Sequence, residues 1–237
     1  MQKFYEEMLK CQITNINPTI IYNEGWMTRI LVEYSVEYGI SINELNFGDI
    51  NNWTSEGSLS SPFLKTKIKK ERHTRTDIAF GDFDINYEER SEIMVKNGKI
   101  FGVIEAKMGS KLSKGTTNAK NYNQASRNAV CIANNIIDFN CESFFILVAP
   151  KSKVKQRKLN MHIEKSNILD QVKNRFKGYD NAFLQNHNYL KIIKKIENMK
   201  IFIVTYEEWI EKFSNHTELK QDLQEFYNKC KKWNNVK

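Results

Sequence analysis

The feature that most restricts the fold is Phe144-Phe145-Ile146-Leu147-Val148-Ala149, an unbroken apolar run closed by Pro150. It is far shorter than the ~20 residues that cross a bilayer. Alternate residues of a strand point to opposite sides, so a strand with one wet face would alternate with polar residues, and this one does not. It therefore needs an apolar layer on both sides, the condition of a parallel or mixed sheet covered by helices.

The flanking sequence supplies such helices. Over residues 24–38, Trp26, Ile30, Tyr34 and Tyr38 recur every four positions with Met27 and Leu31 beside them, and Gly39 is placed to end the helix. Residues 118–137 carry Tyr122, Ala125, Ala129, Ala133 and Ile136 on one side, and the alanines permit close packing on a sheet. Further helices are predicted within 164–175 and 188–198, over 207–213, and over 217–233, the last basic and amphipathic. Residues 76–85 and 99–107 read as two strands of a hairpin, joined by a polar segment containing the turn signal Asn97-Gly98. Residues 201–205 read as a short buried strand. A loop of small and basic residues is expected over 109–117, and an irregular insert rich in Asn, Ser and Gly over 40–62. The order predicts an α/β fold, a mixed central sheet flanked by helices.

The chain has 237 residues with only 3 prolines and 10 glycines, which leaves little material for flexible linkers. A single domain over 1–237 is expected, its C-terminal helix within 214–237. The N-terminus, MQKFYEEMLK, lacks the apolar core of a signal peptide. Cys11, Cys131, Cys141 and Cys230 are scattered without a CxxC pair, against both a zinc cluster and a disulfide framework. These features predict a cytoplasmic protein with reduced cysteines and no membrane partner. No GxxxxGK[ST] loop appears, so nucleotide hydrolysis is unsupported.

The formal charge is +8, and its distribution says more than its size. Lys65, Lys67, Lys69, Lys70, Arg72 and Arg75 precede Asp77, while Lys111, Lys114 and Lys120 follow Lys107. A third cluster, Lys151, Lys153, Lys155, Arg157 and Lys158, follows the apolar run. Each cluster suits either a solvated loop or contacts to phosphate. The first two flank the chemically densest residues of the chain and favour phosphate.

Those residues are Arg75-Thr76-Asp77-Ile78 and Val103-Ile104-Glu105-Ala106-Lys107. Period 2 puts Glu105 and Lys107 on the same side of their strand. Pairing with the preceding strand would stand Asp77 beside Glu105. Two carboxylates and the Ala106 carbonyl form an all-oxygen cage suited to Mg²⁺ or Mn²⁺. Lys107 is then placed to orient or deprotonate an attacking water and to meet charge at a phosphate. Glu-x-Lys alone carries little, and Glu218-Leu219-Lys220 repeats it in a solvated helix. Here the pair ends an apolar strand, where charge is costly unless it faces a functional cleft; the competing reading is a structural salt bridge.

The pattern Asp77 … Glu105-Ala106-Lys107, two strands followed by a helix, resembles the PD-(D/E)XK nuclease superfamily and its restriction-endonuclease-like fold. The stretch from Val103 through Met108, Ser110-Lys111-Leu112-Ser113, Gly115-Thr116 and Tyr122 to Arg127 is similar to an uncharacterised bacterial branch of it, as is Asn23-Glu24-Gly25-Trp26-Met27. The resemblance covers about 20–150, with a final strand at 201–205. It implies a metal-dependent deoxyribonuclease with Asp77 and Glu105 as ligands and Lys107 as the catalytic lysine. It also implies an acidic residue from the first helix, for which Glu24, at the helix start, is the natural candidate, although Glu37 also borders the apolar stripe. Many members carry a glutamine on the next helix with a tyrosine four residues later; here Gln124 is followed by Asn128. Gln124 is expected at the site, and Arg75, Lys111, Lys114, Lys120 and Arg127 at the DNA. RNA remains open as a substrate.

Asp82 and Asp84 lie on the other strand face and are expected to begin the turn. His73 is a weaker phosphate candidate, and His162, His187 and His216 have no ligand-like spacing. With no separate sequence-reading domain visible, specificity would come from the 40–62 insert, the C-terminal third, a homodimer or a partner protein. The rival readings are a binding module that no longer cleaves and an interaction subunit of a defence or DNA-processing complex.

Overall fold

The computed structural model describes residues 17–64, 66, 71, 73–115 and 119–236. The chain begins with α1 (Glu24–Glu37), then β1 (Ser41–Ile42), β2 (Leu45–Asn46), β3 (Asn52–Ser55), β4 (Ser58–Leu59) and β5 (Thr74–Arg75). Next come β6 (Ile78–Gly81), β7 (Phe83–Asn86), β8 (Glu92–Val95), β9 (Ile100–Ala106), α2 (Gln124–Asn135) and β10 (Glu142–Ala149). Helices α3 (Lys151–Gln156), α4 (Leu159–Ile163), α5 (Lys165–Phe176), α6 (Asn181–Asn186) and α7 (Tyr189–Asn198) lead to β11 (Lys200–Thr205). The last helices are α8 (Tyr206–Glu211) and α9 (Thr217–Trp233).

The central sheet has the order β11-β10-β9-β6-β3. Strands β9, β10 and β11 are parallel, and β6 runs antiparallel to both β9 and β3. The apolar run in β10 is buried on both sides, as its composition requires. Phe144, Ile146 and Val148 share one core with Ile78, Phe80 and Ile104, and with Met27, Leu31, Trp209 and Tyr227 of α1, α8 and α9. Phe145, Leu147 and Ala149 share the other with Ala79 and Val103, and with Ala125, Ala129 and Ala133 of α2 and Ile168, Val172, Ile192 and Ile196 of α5 and α7. Each fully buried Leu, Ile or Phe stabilises the fold by roughly 1.5–3 kcal/mol, so both faces of the sheet must be covered. A smaller sheet, β5-β4-β8-β7, lies beside the main one.

Side-chain caps fix the helix ends that matter for the site. Asn23 accepts the Trp26 amide at the start of α1, and Asn123 accepts the Ser126 amide at the start of α2. Gly39, at φ +60°, follows the end of α1.

Several local expectations change. Residues 40–62 are not irregular: they carry β1 to β4, and β3 is an edge of the central sheet. Asn52-Trp53-Thr54-Ser55 is mostly half-exposed there, and an edge strand needs no apolar run. The strand expected over 76–85 breaks at Gly81. Its φ is +124°, and an added Cβ would lie 2.1 Å from the Ile100 carbonyl oxygen. The chain leaves the main sheet there, so the hairpin is β7–β8, and Asn97-Gly98 lies on the return to β9. Asp82 holds this corner, accepting the Lys99 amide at 2.8 Å and the Asn51 side-chain amide at 2.5 Å. Burial pushes its carboxyl up, but these bonds outweigh that and leave it below its ordinary value of 3.8.

Helix α2 starts at Gln124 rather than near 118, which lies outside the described residues. β11 is the opposite sheet edge and is half-exposed over Lys200–Ile203 instead of fully buried. The basic cluster after Pro150 forms α3 and the elbow into α4. Lys65, Lys67, Lys69, Lys70, Arg72, Cys11 and Thr116 lie outside the described residues. Among the described residues no helix is long and apolar enough to cross a membrane, and Cys131, Cys141 and Cys230 form no disulfide.

Candidate active site

The register of β6 against β9 pairs Ile78 with Ile104 and Ala79 with Val103. Continued by one residue, it sets Asp77 opposite Glu105. Oδ2 of Asp77 accepts the Ala106 amide at 2.7 Å. In an extended strand the N–H and C=O of one residue point to the same edge, so the Ala106 carbonyl faces the Asp77 side as well. Glu105 and Lys107 share a face, joined by a 2.5 Å contact from Lys107 Nζ to Glu105 Oε1.

Glu105 is 1% exposed. Its carboxylate is held from α2: Gln124 Nε2 donates to Oε1 at 2.6 Å and Asn128 Nδ2 to Oε2 at 2.9 Å. Positions 124 and 128 are one turn apart, so one helix face reaches both oxygens. Burial, then the charge of Asp77, push the Glu105 carboxyl up to about 7, against the opposing pull of Lys107 and the Asn128 bond. Two carboxylates forced together with one of them buried form a site in want of positive charge.

The start of α1 closes the site from the other side of the sheet. Glu24 Oε2 accepts the Met108 amide at 3.0 Å. The Tyr206 phenol is raised well above its ordinary range, chiefly by burial; its bond to Thr28 opposes this, and the charges of Glu24, Cys230 and Asp77 add to it. Glu24 and Asp77 thus approach one region. Glu37 lies at the far end of α1, in a groove with Tyr34 and Asp222, so of the two candidates the fold brings Glu24 to the site. Among the described residues, however, no group of three or more His, Cys, Asp or Glu side chains is gathered closely enough to hold a metal ion. As placed, Glu24 clamps the backbone just beyond Lys107.

Arg127 shares the α2 face of Gln124 and Asn128, its charge is felt at Tyr122 and Cys131, and its Nε is buried with no partner. Arg75, Lys111, Lys114 and Lys120 are exposed. His73 is half-buried with Nδ1 unpartnered. His187 stacks on Phe183 and His216 on Tyr38, both packing roles.

Sequence reasoning did not assign a site role to Asn128 or Arg157. Asn128 stood one turn from Gln124, a signal of the shared face but not of the partner. Arg157 Nη2 donates to the Gly109 carbonyl at 2.6 Å, across 48 positions of chain, which no local pattern reveals.

Comparison with protein-family models, curated proteins and solved structures gave no match.

Proposed function

We propose that this chain is a divalent-metal-dependent nuclease of restriction-endonuclease-like fold that hydrolyses phosphodiester bonds of DNA. The observation that carries the reading is the buried Glu105, bracketed by Gln124 and Asn128, facing Asp77 across an antiparallel strand pair with Lys107 on the same side. Charge of this density at the end of an apolar strand is expensive, which favours a functional role over a structural salt bridge.

The donor set fits Mg²⁺ or Mn²⁺: carboxylates of Asp77 and Glu105 with the Ala106 carbonyl, all hard oxygens, with no histidine or thiolate. Glu24 holds the Met108 amide just beyond Lys107. The mutual repulsion of Asp77 and Glu105 is the kind that a cation relieves. The metal, when bound, supplies Lewis-acid polarisation of the phosphate and a more acidic water. The protein's part is positional. Asp77 locks the Ala106 peptide, α2 fixes both oxygens of Glu105, and Lys107 presents its ammonium where water and phosphate would meet. Arg75, Lys111, Lys114, Lys120 and Arg127 supply cationic contacts to the backbone of the substrate.

One observation favours a second reading, a nucleic-acid-binding or interaction subunit that does not cleave. It is the absence, among the described residues, of three gathered metal-ligating side chains. Cleavage separates the two. Supercoiled plasmid, linear duplex, single-stranded DNA and RNA would be incubated with Mg²⁺ or Mn²⁺, with EDTA as control. Metal-dependent cleavage is expected, falling at least about a hundredfold in Asp77→Ala and Lys107→Ala. Cleavage that survives both substitutions sinks the assignment. Salt-sensitive binding without cleavage transfers support to the second reading.

A further inference from the structure

Beyond Glu105, the chain passes through four consecutive residues whose backbone is gripped by four different elements. The Ala106 amide is held by Asp77, the Lys107 amide by the Val148 carbonyl of β10, and the Met108 amide by Glu24. The Gly109 carbonyl is held by Arg157. The first three donors meet a carboxylate or a strand carbonyl. The fourth grip is different: it occupies half of a guanidinium, and the other terminal nitrogen, Nη1, is buried with no partner.

Arg157 sits at the elbow between α3 and α4, where Lys158 takes the left-handed backbone conformation (φ +50°). The helix that follows, α4, abuts the start of α2, because Asn123 Nδ2 donates to the His162 carbonyl at 3.2 Å, one residue before Gln124, while Arg157 itself reaches Gly109. The elbow and α4 therefore border Glu105 and Lys107 at the carboxyl ends of parallel β9 and β10, where open α/β sheets bind ligands. Residues 150–163 contain Lys151, Lys153, Lys155, Arg157 and Lys158 and no Asp or Glu. None of the five makes an ion pair among the described residues. A guanidinium presents a planar fork of donors matched to oxyanions, and a buried donor without an acceptor is costly. The missing acceptor is one that a ligand would bring.

We propose that Arg157 binds a backbone phosphate of the substrate strand, next to the phosphate held at Glu105 and Lys107, with the exposed lysines of α3 meeting the phosphates that follow. This rests on the nuclease reading for the identity of the polyanion. Gly109 is two residues past Lys107, at most about 7 Å of chain, so the two phosphates would be close neighbours. One hand of the guanidinium positions the loop after the catalytic lysine, and the other holds substrate against it.

The test uses the full chain in EDTA with a fluorescein-labelled DNA duplex and its single strand, read by anisotropy from 50 to 200 mM NaCl. Arg157→Gln should weaken binding roughly tenfold and lower the slope of log Kd against log salt by about one. Arg157→Lys should keep the slope, and Lys194→Gln, on the exposed side of α7, should change neither. In wild-type protein, DNA should protect Arg157 from phenylglyoxal, read by peptide mass spectrometry, which needs no variant to fold. Unchanged affinity and slope in Arg157→Gln, or no protection, overturns the phosphate role and leaves Arg157 as a latch for Gly109. That result beside metal-dependent cleavage fails this inference alone. DNA binding lost with Arg157→Gln, in a protein that never cleaves, fails the nuclease reading but keeps the phosphate site. No DNA binding by wild type overturns both.

Discussion

Replacing Arg175 by Met should cost this fold about 3–5 kcal/mol. Arg175 Nε lies 3.0 Å from Glu71 Oε1, and the two side chains are 2% and 4% exposed. The guanidinium lies 3.9 Å over the Phe63 ring, near Tyr122 and Tyr179, and Glu71 takes a second bond from the Ser61 hydroxyl. Methionine keeps most of the volume but leaves a carboxylate in an apolar box, and breaking a buried pair in this way costs about 3–5 kcal/mol. At ~2.1 cal/mol/K per residue, a chain of 237 residues has an unfolding entropy near 0.5 kcal/mol/K, so the melting temperature should fall by roughly 8 °C. Urea unfolding of both proteins measures the deficit. The double variant Glu71→Leu/Arg175→Met should recover to within about 1–2 kcal/mol of wild type, since an apolar replacement leaves no charge stranded. A single-variant deficit below about 1 kcal/mol would refute the argument that the pair is desolvated.

Asn128→Ala should lower kcat for cleavage about 10–100-fold with little change in KM, because Glu105 Oε2 loses its α2 donor; unchanged kcat would make Asn128 merely structural. Saturating Mg²⁺ should raise the melting temperature, by about 2.7 kcal/mol of stability at a hundred times Kd, and should not do so in Asp77→Ala. An equal rise in both proteins would place the metal elsewhere. Asp82→Ala should lower the melting temperature at neutral pH, and the gap from wild type should close as pH falls below 3.8 and through the depressed folded value. A gap that widens on acidification reverses that sign. Gly81→Ala should destabilise by more than the ~1 kcal/mol of an ordinary glycine replacement, since its Cβ would meet the Ile100 carbonyl oxygen at φ +124°; a neutral result in urea unfolding would contradict the strained corner.

What could be read in the sequence divides by the range of the forces that reveal it. The both-faced burial of β10 is local and compositional, so 144–149 announced a covered sheet. The shared face of Glu105 and Lys107 follows from period 2, and that of Gln124 and Asn128 from the helical period, so half of the candidate site was visible as faces. Pairings were harder. Asp77 opposite Glu105 required the assumption that two nearby strands pair, which held even though a second hairpin and part of another sheet intervene. The break at Gly81 was hidden because a positive φ leaves no mark in the residues around it, and the strand pattern runs on through Phe83 and Ile85. The edge strand β3 was hidden because an edge is half wet and carries no apolar run.

The backbone contacts of the site were invisible for a different reason. Glu24, Asp77 and Arg157 reach the backbone of Met108, Ala106 and Gly109 across 84, 29 and 48 positions of chain. Glu24 and Arg157 do so with side chains that, read locally, have adequate ordinary roles, a helix-start acid and one cation in a basic run, while Asp77 was legible as a carboxylate beside Glu105 but not as an acceptor for the Ala106 amide. Local pattern constrains which face a residue occupies, while only the folded sheet decides which backbone that face meets. The segment after Lys107 is anchored by the buried side chains of Met108 and Leu112, and its backbone is held in place by these polar grips. Removing any one of them should therefore move Lys107 before it unfolds the chain, so damage at Glu24 or Arg157 should appear in turnover at temperatures where stability is still intact.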